Sequence, residues 1–320
     1  MTLLLTCVTP RFVVQASDRR LTFLNGKTAE ELANKATMLC RHATFAYTGL
    51  SQCSVIERTD ELLLRCLAKP DPINVLLDGL AKEAGRAIRN LPLQVQPSQR
   101  RWVRRTSFVG AGFLGLKDPG KIGRNLSSDE LHPFIAVVSN AQTLSEEWRE
   151  EADQNFAVNF AFIDEGESFI LYAAGVPFAG PARITLERTI HKSLHRIDHP
   201  ESLARLLARA VREVSFRNRL VGPNVMCTIV RRDKVRSPAT VFKGGLAPLI
   251  PEVQAEANYF RWPHGGPDDG GFTQFIYSPS DPGAVYYYGP NYTCGGLRVT
   301  GMLFGPSPLP GNLRPPSFIK

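Results

Sequence analysis

The sequence predicts an α+β protein in which two β-sheets are sandwiched between layers of helices. The chain has 320 residues, 43% of them hydrophobic and 21% charged, so it can bury a sizeable core in one large domain or two ordinary ones. Hairpins open the chain, and the predicted helices come in adjacent pairs rather than alternating with strands. That order disfavours a Rossmann-type fold and favours helices on the outer faces of two sheets.

Two β-hairpins are predicted first. Apolar runs flank Thr9-Pro10 and, further along, Arg41-His42. The four strands are expected at 2–8, 11–17, 35–40 and 43–48.

A pair of helices is predicted to follow these hairpins. The first is expected from Ser51 to about Lys69. The second begins at Pro72, which suits the first helical position, with Asp71 as its cap. Its apolar residues recur at helical spacing: Val75, Leu76, Leu80, Ala84 and Ile88.

The second half of the core repeats this grouping of strands and then helices. Strands are predicted at 105–114, 133–139, 156–163 and 168–174. Helices are predicted at about 182–195 and 201–217, and a closing strand at 225–230.

Composition divides the chain near Ser237. Residues 238–320 hold 13 of the 24 prolines and 13 of the 26 glycines, far more than their share of the length. We therefore predict a folded domain over 1–236 and a Pro/Gly-rich, loop-rich extension over 237–320 that packs on something and is not a second regular domain.

Charge and cysteine usage narrow the class of protein. The net charge of +8 can indicate an anionic partner, although on a chain of this size it more often serves solubility. No apolar run approaches the ~18 residues of a membrane helix, and no secretory leader is recognisable, so the expectation is a cytoplasmic protein. None of the six cysteines forms a Cys-x-x-Cys pair, which favours reduced, buried thiols.

The hairpins suggest where chemistry could lie. A turn centred on Pro10 would place Thr2 opposite Asp18, and a turn centred on His42 would place Lys35 opposite Gly49. A one-residue shift in either turn would change these pairings. If both hairpins are neighbours, the four residues gather at one end of a sheet.

These four residues make a chemically sensible set. Removal of Met1 would leave Thr2 with a free α-amine, whose pKa of about 8 suits a base, beside a hydroxyl that can be the nucleophile. A Lys35 ammonium would favour the developing alkoxide, and Asp18 would hold Lys35 in place. The Gly49 amide could donate to an oxyanion.

The same residues carry a family resemblance. The stretch from Thr2 to Gly49 resembles the start of a proteasome β-type N-terminal-nucleophile hydrolase, the group that includes the bacterial HslV peptidase. Thr2 matches its catalytic threonine, and Ser17-Asp18-Arg19-Arg20 matches its (S/A)-D-x-R segment. Asn34-Lys35 matches its catalytic lysine, one residue further along than usual, and 46–49 its oxyanion strand.

The resemblance implies a four-layer αββα sandwich and a hydrolase that cleaves peptide or amide bonds without a metal or organic cofactor. It also implies a homo-oligomer, of which a ring is one form. The segment 216–222 resembles the stretch before the family's last core strand, but Asn218 and Val221 replace its usual Asp and Ser. The Ser of a Gly-Ser-Gly turn is also absent; the counterpart is 174–176. An inactive scaffold or binding protein on the same fold is therefore the alternative.

Three other motifs favour structural explanations. The G-x-G-x-x-G at 110–115 follows an apolar strand, but 118–120 is Asp-Pro-Gly, so no useful helix can start there for a dinucleotide. His191, His195 and His199 lie in a cationic region that suits a solvated helix better than a metal. The basic cluster around Trp102 could meet nucleic acid, but a surface loop or subunit contact is favoured.

Overall fold

The structure is a computed structural model, and it describes 2–23, 27–30, 33–39, 42–69, 71–93, 95, 103–115, 131–163, 166–194, 200–232, 287–288, 290–294, 297–299 and 303–304. Its helices are α1 (Thr59–Leu67), α2 (Ile73–Asn90), α3 (Pro181–Leu194) and α4 (Pro200–Ser215). Its strands are β1 (Leu3–Val8), β2 (Phe12–Asp18), β3 (Leu21–Thr22), β4 (Thr28–Glu30), β5 (Ala36–Leu39), β6 (Ala43–Thr48), β7 (Ser107–Gly115), β8 (Leu131–Ser139), β9 (Ala157–Phe162), β10 (Ile170–Gly175), β11 (Val225–Arg231), β12 (Tyr287–Tyr288), β13 (Asn291–Cys294), β14 (Leu297–Val299) and β15 (Leu303–Phe304).

The predicted mixture of α-helices and antiparallel strands is confirmed. One sheet has four antiparallel strands in the order β10-β1-β2-β11. The other has seven, in the order β14-β13-β5-β6-β7-β8-β9, and is antiparallel except where β13 runs parallel to β5. Two small ladders, β3-β4 and β12-β15, stand apart from them.

Three apolar clusters hold these elements together. The first joins the four-stranded sheet to α3 and α4, and the second joins the seven-stranded sheet to α1 and α2. The third draws residues from both sheets, such as Leu4 and Val109. Since side chains alternate along a strand, Leu3 and Leu5 of β1 belong to the first cluster and Leu4 to the third. Burial on both faces explains why β1 has the continuous apolar run that the sequence shows.

The register of both hairpins differs from the prediction. Leu4 pairs with Ser17 in the first hairpin, so the turn has Pro10 and Arg11 at its tip, and continuing the ladder would place Leu3, not Thr2, opposite Asp18. The Thr9 hydroxyl donates to the Phe12 carbonyl at 2.7 Å and stabilises this two-residue tip. The prediction placed the centre on Pro10 and was therefore wrong by one residue.

The second hairpin is shifted further. Ala36 pairs with Ala46 and Leu39 with Ala43, so continuing the ladder would place Lys35 opposite Tyr47, not Gly49. The predicted pairing of Lys35 with Gly49 is thus wrong by two residues. The His42 N–H donates to the Leu39 carbonyl at 3.1 Å, beside the last pair of the ladder.

The first helix pair also differs in detail. The predicted helix from Ser51 begins only at Thr59, because residues 51–58 form a loop that Cys53 N–H closes on the Glu57 carbonyl. The Glu61 carboxylate accepts from the Arg58 N–H at 3.0 Å and caps the first turn. In α2 the predicted apolar face is buried except for Val75, which is 47% exposed.

The predicted C-terminal extension lies largely outside the described residues. The part that is described contains β13, which hydrogen-bonds to β5. Together with β14 it extends the five strands β5 to β9 to the seven-stranded sheet. Among the described residues, no helix is both long enough and apolar enough to cross a membrane.

Candidate active site

The structure brings Thr2, Asp18 and Lys35 together in a buried cluster. Lys35 Nζ donates to Thr2 Oγ1 at 2.6 Å and to Asp18 Oδ1 at 3.3 Å. Thr2 is 4% exposed, and the Lys35 and Asp18 side chains are fully buried. The three residues come from the ends of different strands: Thr2 precedes β1, Asp18 ends β2, and Lys35 precedes β5 in the other sheet.

Lys35 has an acceptor for each of its three ammonium protons. Besides Thr2 and Asp18, the carbonyl of Arg20 accepts from Nζ at 2.7 Å. Burial lowers the pKa of Lys35 below its usual value, while the adjacent Asp18 carboxylate opposes that effect. A cation held against a hydroxyl oxygen favours ionisation of that hydroxyl.

Asp18 is surrounded by main-chain donors. Its Oδ2 accepts from the Leu3 N–H at 2.8 Å, and its Oδ1 accepts from Arg20 N–H at 3.0 Å and Gly222 N–H at 3.1 Å. These bonds join β1, the end of β2 and the segment before β11 at one carboxylate. They hold the carboxylate beside Lys35 and compensate its loss of water.

The main chain of Thr2 is anchored separately from its hydroxyl. The Thr2 carbonyl accepts from the Val176 N–H at 2.9 Å and from the Thr48 hydroxyl at 3.2 Å. Gly175 approaches so closely that a Cβ there would lie 1.7 Å from the Thr2 carbonyl oxygen. The carbonyl is therefore engaged, and the side chain is the part of Thr2 that faces Lys35.

Gly49 lies next to this anchor, since it follows Thr48 directly. It has a φ of +110°, a conformation that glycine adopts readily, and a Cβ there would lie 2.2 Å from the Arg105 carbonyl oxygen. The backbone path therefore requires glycine at position 49. Glycine is also compatible with an N–H that no side chain of its own covers. Gly49 shares with Thr2 the neighbour Thr48, rather than pairing with Lys35 as predicted.

Several residues of this site were missed by sequence reasoning. Thr48, Val176 and Gly222 contact Thr2 or Asp18 through a hydroxyl or a main-chain amide. Val176 and Gly222 act through main-chain donors, which carry no side-chain signal. All three nevertheless lie in segments compared with the family: Thr48 in 46–49, Val176 in 174–176 and Gly222 in 216–222.

Asn218 and Val221, which differ from the family pattern in the segment 216–222, have structural roles of their own. Asn218 Oδ1 accepts from the Leu220 N–H at 3.0 Å, and its carbonyl accepts from the Val221 N–H, so Asn218 shapes the turn. Val221 is fully buried in the first apolar cluster. The Arg20 side chain donates to the Arg219 carbonyl at 2.8 Å and ties this turn to the end of β2.

The other sequence motifs fall elsewhere. The G-x-G-x-x-G lies within β7, where the Phe45 ring packs directly on Gly110, so it opens no helix. His195 and His199 lie outside the described residues, and the described part contains no group of His, Cys, Asp and Glu able to hold a metal. The basic cluster around Trp102 consists of Arg100, Arg101, Arg104 and Arg105. Arg105 lies over the Trp148 ring at 5.3 Å, and Trp102 lies outside the described residues.

Comparison with known proteins adds no relative. No protein-family model matches the chain, and no curated protein matches it significantly.

Proposed function

We propose that this chain is an N-terminal threonine hydrolase of the proteasome-like group, acting on peptide or amide bonds. The observation that carries the proposal is the 2.6 Å hydrogen bond from Lys35 Nζ to Thr2 Oγ1, with Asp18 beside it in a fully buried pair. An ammonium that donates to a buried threonine hydroxyl supports a nucleophilic role for that hydroxyl, because the cation stabilises the alkoxide that attacks.

The proposed reaction begins when the Met1–Thr2 bond is cleaved and the Thr2 amine is free. That amine takes the proton from Oγ1 as Oγ1 bonds to the substrate carbonyl carbon. Lys35 stabilises the oxygen before attack. The Gly49 N–H donates to the tetrahedral oxyanion, a contact typically worth about 3 kcal/mol.

The intermediate then collapses. The amine passes its proton to the leaving nitrogen, the carbon–nitrogen bond breaks, and an ester to Thr2 remains. Water attacks this ester with the same amine as base, which releases the acid and restores Thr2. The proposal requires no metal or organic cofactor.

The proposed fold is the four-layer αββα sandwich of this group. Its support is the pattern of apolar clusters, with one between each sheet and its helices and a third between the two sheets. By the same resemblance we propose a homo-oligomer, with a ring as one form.

The test is the intact mass of the purified protein before and after exposure to a peptide epoxyketone, which needs both the hydroxyl and the free amine of an N-terminal threonine. We expect loss of Met1 and a single adduct. Thr2→Ala should abolish the adduct, whereas Thr185→Ala, a change at an exposed threonine of α3, should leave it. An adduct or turnover that survives in Thr2→Ala would refute the mechanism.

An inactive scaffold on the same fold is the second candidate. The observation in its favour is that Val221, buried in the first apolar cluster, and the turn at 174–176 lack the serines that the family resemblance leads us to expect. A folded protein that lacks Met1 and yet leaves Thr2 unreactive would favour this second function.

A further inference from the structure

The described part of the C-terminal extension adds a strand beside the proposed site. β13 runs parallel to β5, with Asn291 opposite Thr37 and Thr293 opposite Leu39. Asn291 is 2% exposed and Thr293 is fully buried, so polar side chains of this strand lie inside the protein. β13 covers the edge of β5, the strand that begins directly after Lys35.

A side-chain contact links this strand to the residue before Lys35. Asn34 Nδ2 donates to Asn291 Oδ1 at 3.0 Å, and Asn34 Oδ1 accepts from the Ala36 N–H at 3.2 Å. The Asn34 side chain therefore spans the main chain of Lys35, bound to β13 on one side and to β5 on the other. A short turn of this kind fixes the direction in which the enclosed side chain leaves the main chain.

We propose that Asn291 is a positioning residue of the proposed active site, which holds Lys35 in register with Thr2 through Asn34. This inference rests on the proposed function. It makes the C-terminal strand a working part of the site rather than a separate appendage. Asn291 touches no reacting atom, so its effect passes through the Lys35 main chain.

The geometry explains why such support matters. Lys35 leaves one sheet and must reach Thr2 Oγ1, which belongs to the other, while also meeting Asp18 and the Arg20 carbonyl. A small displacement of its main chain would break these three contacts together. Misplacement of about 1 Å by a remote substitution can lower a rate ~100-fold.

The experiment measures the rate of epoxyketone labelling of Thr2 as a function of pH in the full chain, for wild type, Asn291→Ala, Asn34→Ala and the double variant. We expect each single variant to slow labelling on the order of tenfold or more. Because Asn291 acts through Asn34, the double variant should be no slower than Asn34→Ala. Arg298→Ala, at an exposed position on the adjacent β14, is the matched control and should label at the wild-type rate.

The pH profile separates positioning from simple stability. Lys35 must be charged to act as proposed, so its deprotonation sets the alkaline limb of the profile. Burial lowers the pKa of Lys35 and the adjacent Asp18 carboxylate raises it, so displacing Lys35 changes the balance between the two effects. The alkaline limb should therefore shift in Asn291→Ala. A wild-type rate and an unmoved limb in that variant would overturn the inference while leaving the proposed function intact.

Hydrogen exchange at the β5 amides of 36–39 gives a readout that needs no activity. Exchange there should be faster in Asn291→Ala than in wild type, and unchanged in Arg298→Ala. If wild-type Thr2 proves unreactive but this exchange difference is found, the proposed function fails and the anchoring of the Lys35 segment by Asn291 stands. If exchange is unchanged, the inference fails whatever the labelling shows.

Discussion

The Asp18–Lys35 pair is the most demanding feature at the scale of single residues. Both side chains are fully buried, and charges removed from water are tolerated only when paired and hydrogen-bonded. Asp18 meets this condition with three main-chain amides as well as Lys35. Lys35 meets it with three acceptors. The buried pair is therefore stable only while all of these hydrogen bonds are made.

Lys35→Met is expected to destabilise the protein by about 3–5 kcal/mol at neutral pH, because it leaves the Asp18 carboxylate buried without its cation. The loss should grow with pH. Burial lowers the pKa of Lys35 in the folded state, so in the alkaline range below about 10.4 the unfolded chain binds more protons and wild-type stability rises relative to the variant.

Urea unfolding of both proteins at several pH values between neutral and about 10 checks this. Groups common to both proteins cancel in the difference. A difference that is flat or falls as pH rises would contradict the pKa assignment. Lys82→Met, a change at an exposed position of α2, should stay within about 0.5 kcal/mol of wild type at neutral pH.

At the scale of elements, the ends of strands decide the site. β10 ends at Gly175, which has a φ of +92° and leaves no room for a side chain against the Thr2 carbonyl. β6 ends at Thr48, whose hydroxyl meets the same carbonyl. The strand ends thus position the Thr2 main chain. At the end of β10 the two backbones come so close that only glycine, which has no Cβ, fits at position 175.

Gly175→Ala is expected to destabilise the protein by about 3 kcal/mol or more, since it adds a left-handed backbone penalty to a backbone shift around Thr2. It should also slow epoxyketone labelling. Gly79→Ala is the matched control: a Cβ at Gly79 in α2 would have open space around it to 4 Å, so this change should stabilise the helix by about 0.5–1 kcal/mol. Equal unfolding midpoints for the two variants would contradict this account.

At the scale of the whole molecule, a buried polar network joins the two sheets. Gln15 Nε2 donates to Thr6 Oγ1 and to the Val109 carbonyl, both at 3.1 Å. The Thr44 hydroxyl donates to Gln15 Oε1 and also bonds with the Thr228 hydroxyl. These residues come from both sheets, within the apolar interface of the third cluster. Apolar packing tolerates sliding, whereas a satisfied polar network specifies one alignment.

Gln15→Leu should cost about 1–3 kcal/mol for each buried partner that it leaves unsatisfied. Thr44→Val removes a group of the same network. Chemical denaturation of the two single variants and the double variant gives the coupling between them, expected at about 0.5–3 kcal/mol. Strictly additive losses would mean that the network does not hold the sheets together.

Much of the fold could be predicted because it depends on near neighbours in the chain. The paired helices and the strand groups follow from local patterns. The turn registers could not be predicted, since Thr9-Pro10 and Arg41-His42 are compatible with more than one tip. The predicted pairings of Thr2 with Asp18 and of Lys35 with Gly49 were consequently wrong.

The sequence by itself singled out candidate residues for chemistry, since Thr2, Asp18, Lys35 and Gly49 were named from residue type, from the hairpin argument and from the family resemblance. Only the tertiary structure decided how they are held, because the contacts that orient them join distant parts of the chain. Gly222 reaches Asp18, Val176 reaches Thr2, and Asn291 reaches Asn34 across 257 residues. Such contacts are made by backbone groups and by sheet edges, and these acquire a position only when the two sheets pack.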